Sequence, residues 1–141
     1  MNKKTLGSII IFILFVFIYF KFIAIYSKEN SSRIDNYLKK LNLEFTGIII
    51  DKKDLEHNVY RIFLDIKKSN VENYYPKDTS DYYLCIIRGT KAELVVSNPN
   101  DFLEGDSVIV SSIKDSCFVF SNRKLKTKWK LYVVDFHTNG Y

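Results

Sequence analysis

The sequence predicts a mainly β domain, a small antiparallel barrel or sandwich, preceded by one transmembrane helix and a short amphipathic helix. Three observations carry this expectation. Residues 6–26 form an almost unbroken apolar run whose only charge is Lys21. Beyond it, Ile, Val, Tyr and Phe dominate the apolar positions, and these residues fit a pleated, half-buried surface. About seven short segments of this kind are separated by Gly, Pro, Asn and Asp, the spacing of a small all-β domain. The layout is therefore 1–27 as anchor, 28–44 as connecting amphipathic helix and 45–141 as β domain.

The anchor follows from length. A helix rises ~1.5 Å per residue, so ~20 apolar residues cross the ~30 Å hydrocarbon layer. A helix also satisfies every backbone donor and acceptor internally, as lipid demands. A cleaved secretory signal is the other reading, with a core of ~7–15 apolar residues and small residues before the cut. This core is longer, and Ile25-Tyr26-Ser27 fits such a cut poorly. An uncleaved signal-anchor is the better reading. Tyr19 and Tyr26 suit the outer headgroup level, towards which Lys21 can snorkel. Basic residues flank both ends (Lys3 and Lys4 before, Lys28, Arg33, Lys39 and Lys40 after), so charge alone does not orient the helix. A long following domain tends to be translocated regardless of such charges. The expected arrangement is a single-pass protein with its β domain on the extracytoplasmic side.

Composition limits the function classes. Of 21 basic residues, Lys3, Lys4 and Lys21 belong to the acid-free anchor, which leaves 18 against 16 acids, a balance of +2. Nucleic-acid binders concentrate far more positive charge, so no nucleic acid is expected as partner.

Ser31 or Ser32 can cap a helix. Ile34, Tyr37, Leu38 and Leu41 then recur at helical spacing as one apolar stripe, and Asn42 is a natural stop. The first strand is read at 45–52, with Gly47 permitting a bend or close backbone approach. A polar hairpin loop at 53–58 leads to the second, 59–67, where Tyr60, Ile62, Leu64 and Ile66 alternate with Arg61, Phe63 and Asp65. Residues 68–81 read as a long connection. Segments 82–88 and 91–97 form a hairpin turning at Gly89-Thr90. Asn98-Pro-Asn-Asp breaks the sheet, and 103–106 is a turn. A second hairpin, 107–113 and 117–121, turns around Lys114-Asp115. A basic linker then precedes a last strand at 129–136, and residues 137–141 are a tail expected to fray. Closure into a barrel removes exposed edges.

Phe45-Thr-Gly-Ile-Ile-Ile and, later, Phe102-Leu-Glu-Gly-Asp-Ser-Val-Ile-Val resemble small OB-like barrel domains. Those have a Gly-bearing first strand and a Gly-Asp turn opening a later strand. The whole layout is similar to uncharacterised bacterial envelope proteins with a single N-terminal anchor and such a domain. The resemblance covers 45–136 and implies an OB-like barrel; it carries over no catalytic residue. Where an OB-fold usually has a helix, 99–103 allows a single turn.

Chemistry-bearing patterns are few. Nucleophile-elbow, P-loop and dinucleotide-binding motifs are absent. His57 and His137 fall in a loop and the tail, and with Cys85 and Cys117 they do not show metal spacing. No metal or cofactor is expected. The cysteines are either bridged in an oxidising compartment or two free buried apolar residues; nothing nearby makes a thiolate. Asp51, Asp54, Asp65, Asp78, Asp81, Glu104 and Asp106 are turn acids unless two face each other across a cleft. Two candidate binding surfaces remain. One is the basic segment 123–130, with Lys124, Lys126, Lys128 and Trp129, suited to anionic headgroups. The other is the Tyr-rich group Tyr74, Tyr75, Tyr82 and Tyr83, whose rigid faces with polar tips suit protein or sugar contacts. The expected function is that of a membrane-anchored, non-enzymatic binding or interaction module of the cell envelope. Its expected partners are membrane lipid through 6–26 and another envelope protein. An envelope-active enzyme using loop carboxylates, or a protective factor binding one toxin or assembly partner, is the alternative.

Overall fold

The computed structural model describes residues 3–55, 58–76 and 82–135. Glu56, His57, Asp78, Asp81, Phe136 and the 137–141 tail lie outside them. The chain divides into two compact units, Met1–Asp35 and Asn36–Tyr141.

The first unit belongs to one helix, α1 (Lys3–Leu41). It is long and apolar enough, by length and composition, to cross a membrane. The side chains of 11–26 are exposed within the chain, and the Lys21 ammonium lies 5.5 Å from the centre of the Phe17 ring. The expected break between anchor and amphipathic helix does not occur. Residues 27–33 are polar but contain neither Gly nor Pro, so nothing interrupts the i→i−4 ladder. An Arg33–Glu29 ion pair of 2.9 Å, one turn apart, spans the stretch. The stop is where it was expected: Asn42 takes φ 48°, the left-handed conformation that ends helices.

The second unit is an antiparallel sheet of eight strands with a two-stranded ribbon. The strands are β1 (Glu44–Asp54), β2 (Tyr60–Ser69), β3 (Asn73–Tyr74), β4 (Tyr82–Tyr83), β5 (Cys85–Arg88), β6 (Lys91–Val96), β7 (Ser107–Ser111), β8 (Ser116–Ser121), β9 (Lys124–Trp129) and β10 (Val134–Asp135). Their order is β3-β5-β6-β2-β1-β7-β8-β9, with β10 paired to β4. The sheet ends on β3 and β9 and is not closed by hydrogen bonds. Its edges are blunted in two ways: β3 has only two residues, and β9 carries lysines.

Inward positions alternate as the sequence requires. Phe45 and Ile49 of β1, Ile62 and Leu64 of β2, and Val108 and Val110 of β7 are all buried. Gly47 sits at a bulge in β1. A Cβ there would stand 3.0 Å from the Asp65 carbonyl oxygen, so β2 approaches because the side chain is missing. Leu38, at the end of α1, and Leu43 are 1% exposed. Leu43 is tied to the turn after β7: its N–H donates to Ser112 Oγ at 2.8 Å while Ser112 N–H donates to its carbonyl at 2.9 Å.

Several strand assignments change, and the connection read over 68–81 carries β3. Residues 124–129, read as a linker, are β9; the segment 129–136, read as the last strand, retains only β10. Asn122 and Arg123, at φ 50° and 64°, have the two positive angles of a type I′ hairpin turn, which returns the chain along β8. The segment 82–88 is divided at Leu84 because Tyr82 and Tyr83 pair with β10 while Cys85 onward pairs with β6. A 3-10 turn, Pro99–Asp101, capped by the Asn98 side chain, joins β6 to β7.

Candidate binding surface

The tyrosines do not form one face. Tyr37 of α1 donates its hydroxyl to the Tyr82 carbonyl at 3.1 Å and lies 3.2 Å from the Tyr74 hydroxyl. Its ring packs against Tyr82 at 5.3 Å. Tyr74 and Tyr82 therefore hold the end of α1 to β3 and β4. Burial raises the Tyr74 pKa, partly offset by the Tyr37 hydroxyl. Burial likewise pushes the half-buried Tyr83 up to about 12. Tyr75 alone is exposed, with the Arg88 guanidinium 5.5 Å from its ring centre.

The lysines of β9 also separate. A register shift in the β8–β9 pairing at Val119/Phe120 leaves Lys126 without a cross-strand partner. It turns to Asp106 Oδ2 (3.3 Å) and the Asp101 carbonyl (3.0 Å). Asp106 is buried, and a buried carboxylate without its cation costs several kcal/mol; Lys126 is a structural residue. Trp129 lies opposite Cys117, its indole Nε1 buried without a hydrogen-bond partner among the described residues. Lys124 stays exposed at the turn. Lys128 faces the other way, 5.3 Å from the centre of the Phe118 ring.

That outward row continues across the sheet. Register places Lys68 opposite Thr46, Thr46 opposite Ile109, Ile109 opposite Phe118 and Phe118 opposite Lys128. Five strands at ~4.8 Å spacing separate the two lysines by roughly 19 Å. A groove of ≈ 260 Å³ follows the row from Lys68 to Phe118 and includes Lys114 and Glu44. The Glu44 carboxylate accepts from Ser111 Oγ at 2.8 Å. Among the described residues, no carboxylate pairs with Lys68, Lys114 or Lys128. Ile109 is 41% exposed in the middle of this face. Sequence reasoning missed Lys68, Lys114, Ile109 and Phe118. The available signal was parity: Ile109 and Phe118 stand at outward positions of their strands, where a solvated face carries polar residues.

Elsewhere two acids sit between pairs of basic side chains. Asp65 is held by Lys67 and Lys91, which lower its pKa; Glu93 lies between Arg61 and Arg88. No group of three or more His, Cys, Asp or Glu is placed to hold a metal among the described residues. Cys85 and Cys117 are free and buried, and burial pushes both thiols up to about 12.

An unfolded thiol titrates near 8.5, so the stability that Cys85 and Cys117 contribute is complete below that pH. It is lost as pH rises towards about 12, because the unfolded chain gives up those protons first. Urea midpoints should therefore fall between about pH 8 and about pH 11, and a Cys85→Ala/Cys117→Ala variant should show a shallower fall. An unchanged pH slope in that variant would contradict the burial.

Comparison with protein-family models, curated proteins and solved structures finds no match to this chain.

Proposed function

We propose that this chain is a membrane-anchored, non-enzymatic binding module of the cell envelope, with its β unit on the extracytoplasmic side. The observation that carries the reading is the helix. The large apolar side chains of 11–26 are between 37% and 75% exposed. Apolar surface of that extent calls for a hydrocarbon surrounding. The mechanism is confinement: an anchor keeps a small domain at high effective concentration near partners in the same membrane.

Binding is favoured over catalysis by how the charged groups are used. The described acids of the β unit that meet in pairs or clusters do so with lysine or arginine, and the buried thiols are held in their unreactive neutral form. An OB-like arrangement is supported by the strand order β6-β2-β1-β7-β8, by the bulged Gly47 in β1 and by the single turn Pro99–Asp101 between β6 and β7.

Alkaline carbonate extraction of cells expressing the full chain tests the tether. Retention in the membrane pellet is expected, together with cleavage of the β unit by protease added to intact spheroplasts. Release into the supernatant overturns the anchor, and protection from the protease overturns the orientation.

A further inference from the structure

Resting on the membrane-anchored reading, we propose that the outer face of β2-β1-β7-β8-β9 is a docking surface for anionic phospholipid headgroups. Lys68, Lys114 and Lys128 bind the phosphates, and Ile109 and Phe118 meet the glycerol and upper acyl region.

The face is assembled from two features with opposite solvent preferences. Ile109 is an aliphatic side chain left 41% exposed at the centre of a sheet. Phe118 beside it is partly covered by the stem and ammonium of Lys128. Around them stand three lysines without carboxylate partners among the described residues, against the single carboxylate of Glu44. Four lysines of the unit do meet acids, Lys67 and Lys91 at Asp65, Lys126 at Asp106 and Lys130 at Asp115. The groove and its β9 rim gather three that do not, in a unit whose balance is near neutral.

Charge selects among occupants. A second copy would set lysines against lysines, which is repulsive. An acidic polypeptide would gain from edge pairing or from anchor side chains in deep pockets. The centre of this face offers no edge, because Thr46, Ile109 and Phe118 lie on strands already paired on both sides; only Lys128 stands on the edge strand β9, whose lysines discourage pairing. A bilayer bearing anionic lipid needs no backbone partner and uses lysine and aliphatic side chains together. The chain's own apolar helix brings it to one.

The chain contains one tryptophan, Trp129, which points into the unit opposite Cys117, one residue from Lys128, so it reports the approach of this side of the sheet by energy transfer, which acts through the protein, and not by contact. The full chain is placed in nanodiscs of phosphatidylcholine alone or mixed with phosphatidylglycerol, each with a dansyl-headgroup lipid as the energy acceptor that quenches it. Trp129 quenching should be stronger in the anionic discs and should fall as salt rises, because headgroup attraction is screened within about 10 Å at 0.1 M. Each lysine contributes about fivefold to association with such a surface. Lys68→Glu/Lys128→Glu should return quenching to the neutral-disc level, whereas the matched Lys52→Glu/Lys53→Glu should not. Equal quenching in both discs, or indifference to salt, overturns the proposal on the unmodified chain, whatever the variants do to folding. Soluble polyglutamate binding in neutral discs, with no response to phosphatidylglycerol, also overturns it and assigns the face to an acidic polypeptide. A chain extracted by carbonate fails earlier, at the anchor, so the two readings fall separately.

Discussion

Replacing Phe102 by alanine is expected to destabilise the β unit by about 3–5 kcal/mol, the range for deleting a fully buried aromatic ring. Phe102 is 1% exposed and is among the largest wholly buried side chains of the unit. It follows the 3-10 turn, and its N–H donates to the Pro99 carbonyl at 3.1 Å. The ring closes the space between β6 and the strands beyond β8, next to Leu94, Val96, Cys117 and Leu131. A cavity of ≈ 20 Å³ already exists among these residues. Removing the ring enlarges a void that the surrounding strands, fixed by their ladders, cannot collapse to fill, which places the cost high in the range. Domains of this size have total stabilities of about 5–15 kcal/mol, so the loss is a third or more of what holds the unit together. Urea unfolding of the full chain in detergent, followed by Trp129 fluorescence, should show a lower midpoint at unchanged slope. A shift worth less than about 1 kcal/mol would mean that this region repacks freely and does not plug the end of the core.

Much of this arrangement was legible in the residues. The apolar run, the alternation in β2, and the hairpins around Gly89 and Asp115 each follow from a local pattern with one physical meaning. What escaped reading depended on partners distant in sequence. The polar stretch 27–33 looks like the end of one helix and the Ser31 or Ser32 cap of the next, yet polarity does not end a helix when no Gly or Pro is present. Lys124-Leu-Lys-Thr-Lys-Trp has too little apolar character to announce a strand; its place is set by the Asn122–Arg123 turn and by β8. Tyr82 and Tyr83 leave the β5 pairing because β10, some fifty residues later, takes them up.

The binding surface was harder still. Three lysines spaced two apart look equivalent in the sequence, but one register shift sends Lys126 to a buried aspartate and Lys128 to the outer face. Lys68 and Lys114 join Lys128 only through registers that β1 and β7 impose. The charge of the segment could be read; its direction could not.

Gly47 is the residue on which those registers turn, and Gly47→Val is expected to destabilise the unit by about 2–4 kcal/mol. Two effects oppose this. Any side chain at 47 reduces the freedom of the unfolded chain, worth about 0.4–1 kcal/mol for alanine. Valine also suits a strand, on a scale spanning about 1 kcal/mol. Against them stands contact. The first added carbon already lies 3.0 Å from the Asp65 carbonyl oxygen and 3.3 Å from Leu64 Cβ. The oxygen is backbone, held in the β1–β2 ladder, so it cannot rotate away as a side chain would. Valine adds two further methyl groups to that clash, and overpacking of a fixed site costs about 1–3 kcal/mol, occasionally more. Gly47 also pairs with Val108 on its other side, which leaves β1 no free direction in which to retreat. Contact wins for valine, while Gly47→Ala should fall between, near neutral to about 2 kcal/mol destabilising. Because the bulge at Gly47 sets Thr46 opposite Lys68, the valine variant should also lose Trp129 quenching in anionic nanodiscs under conditions where its circular dichroism remains β. A Gly47→Val chain as stable as the parent would show that β2 does not need the missing side chain.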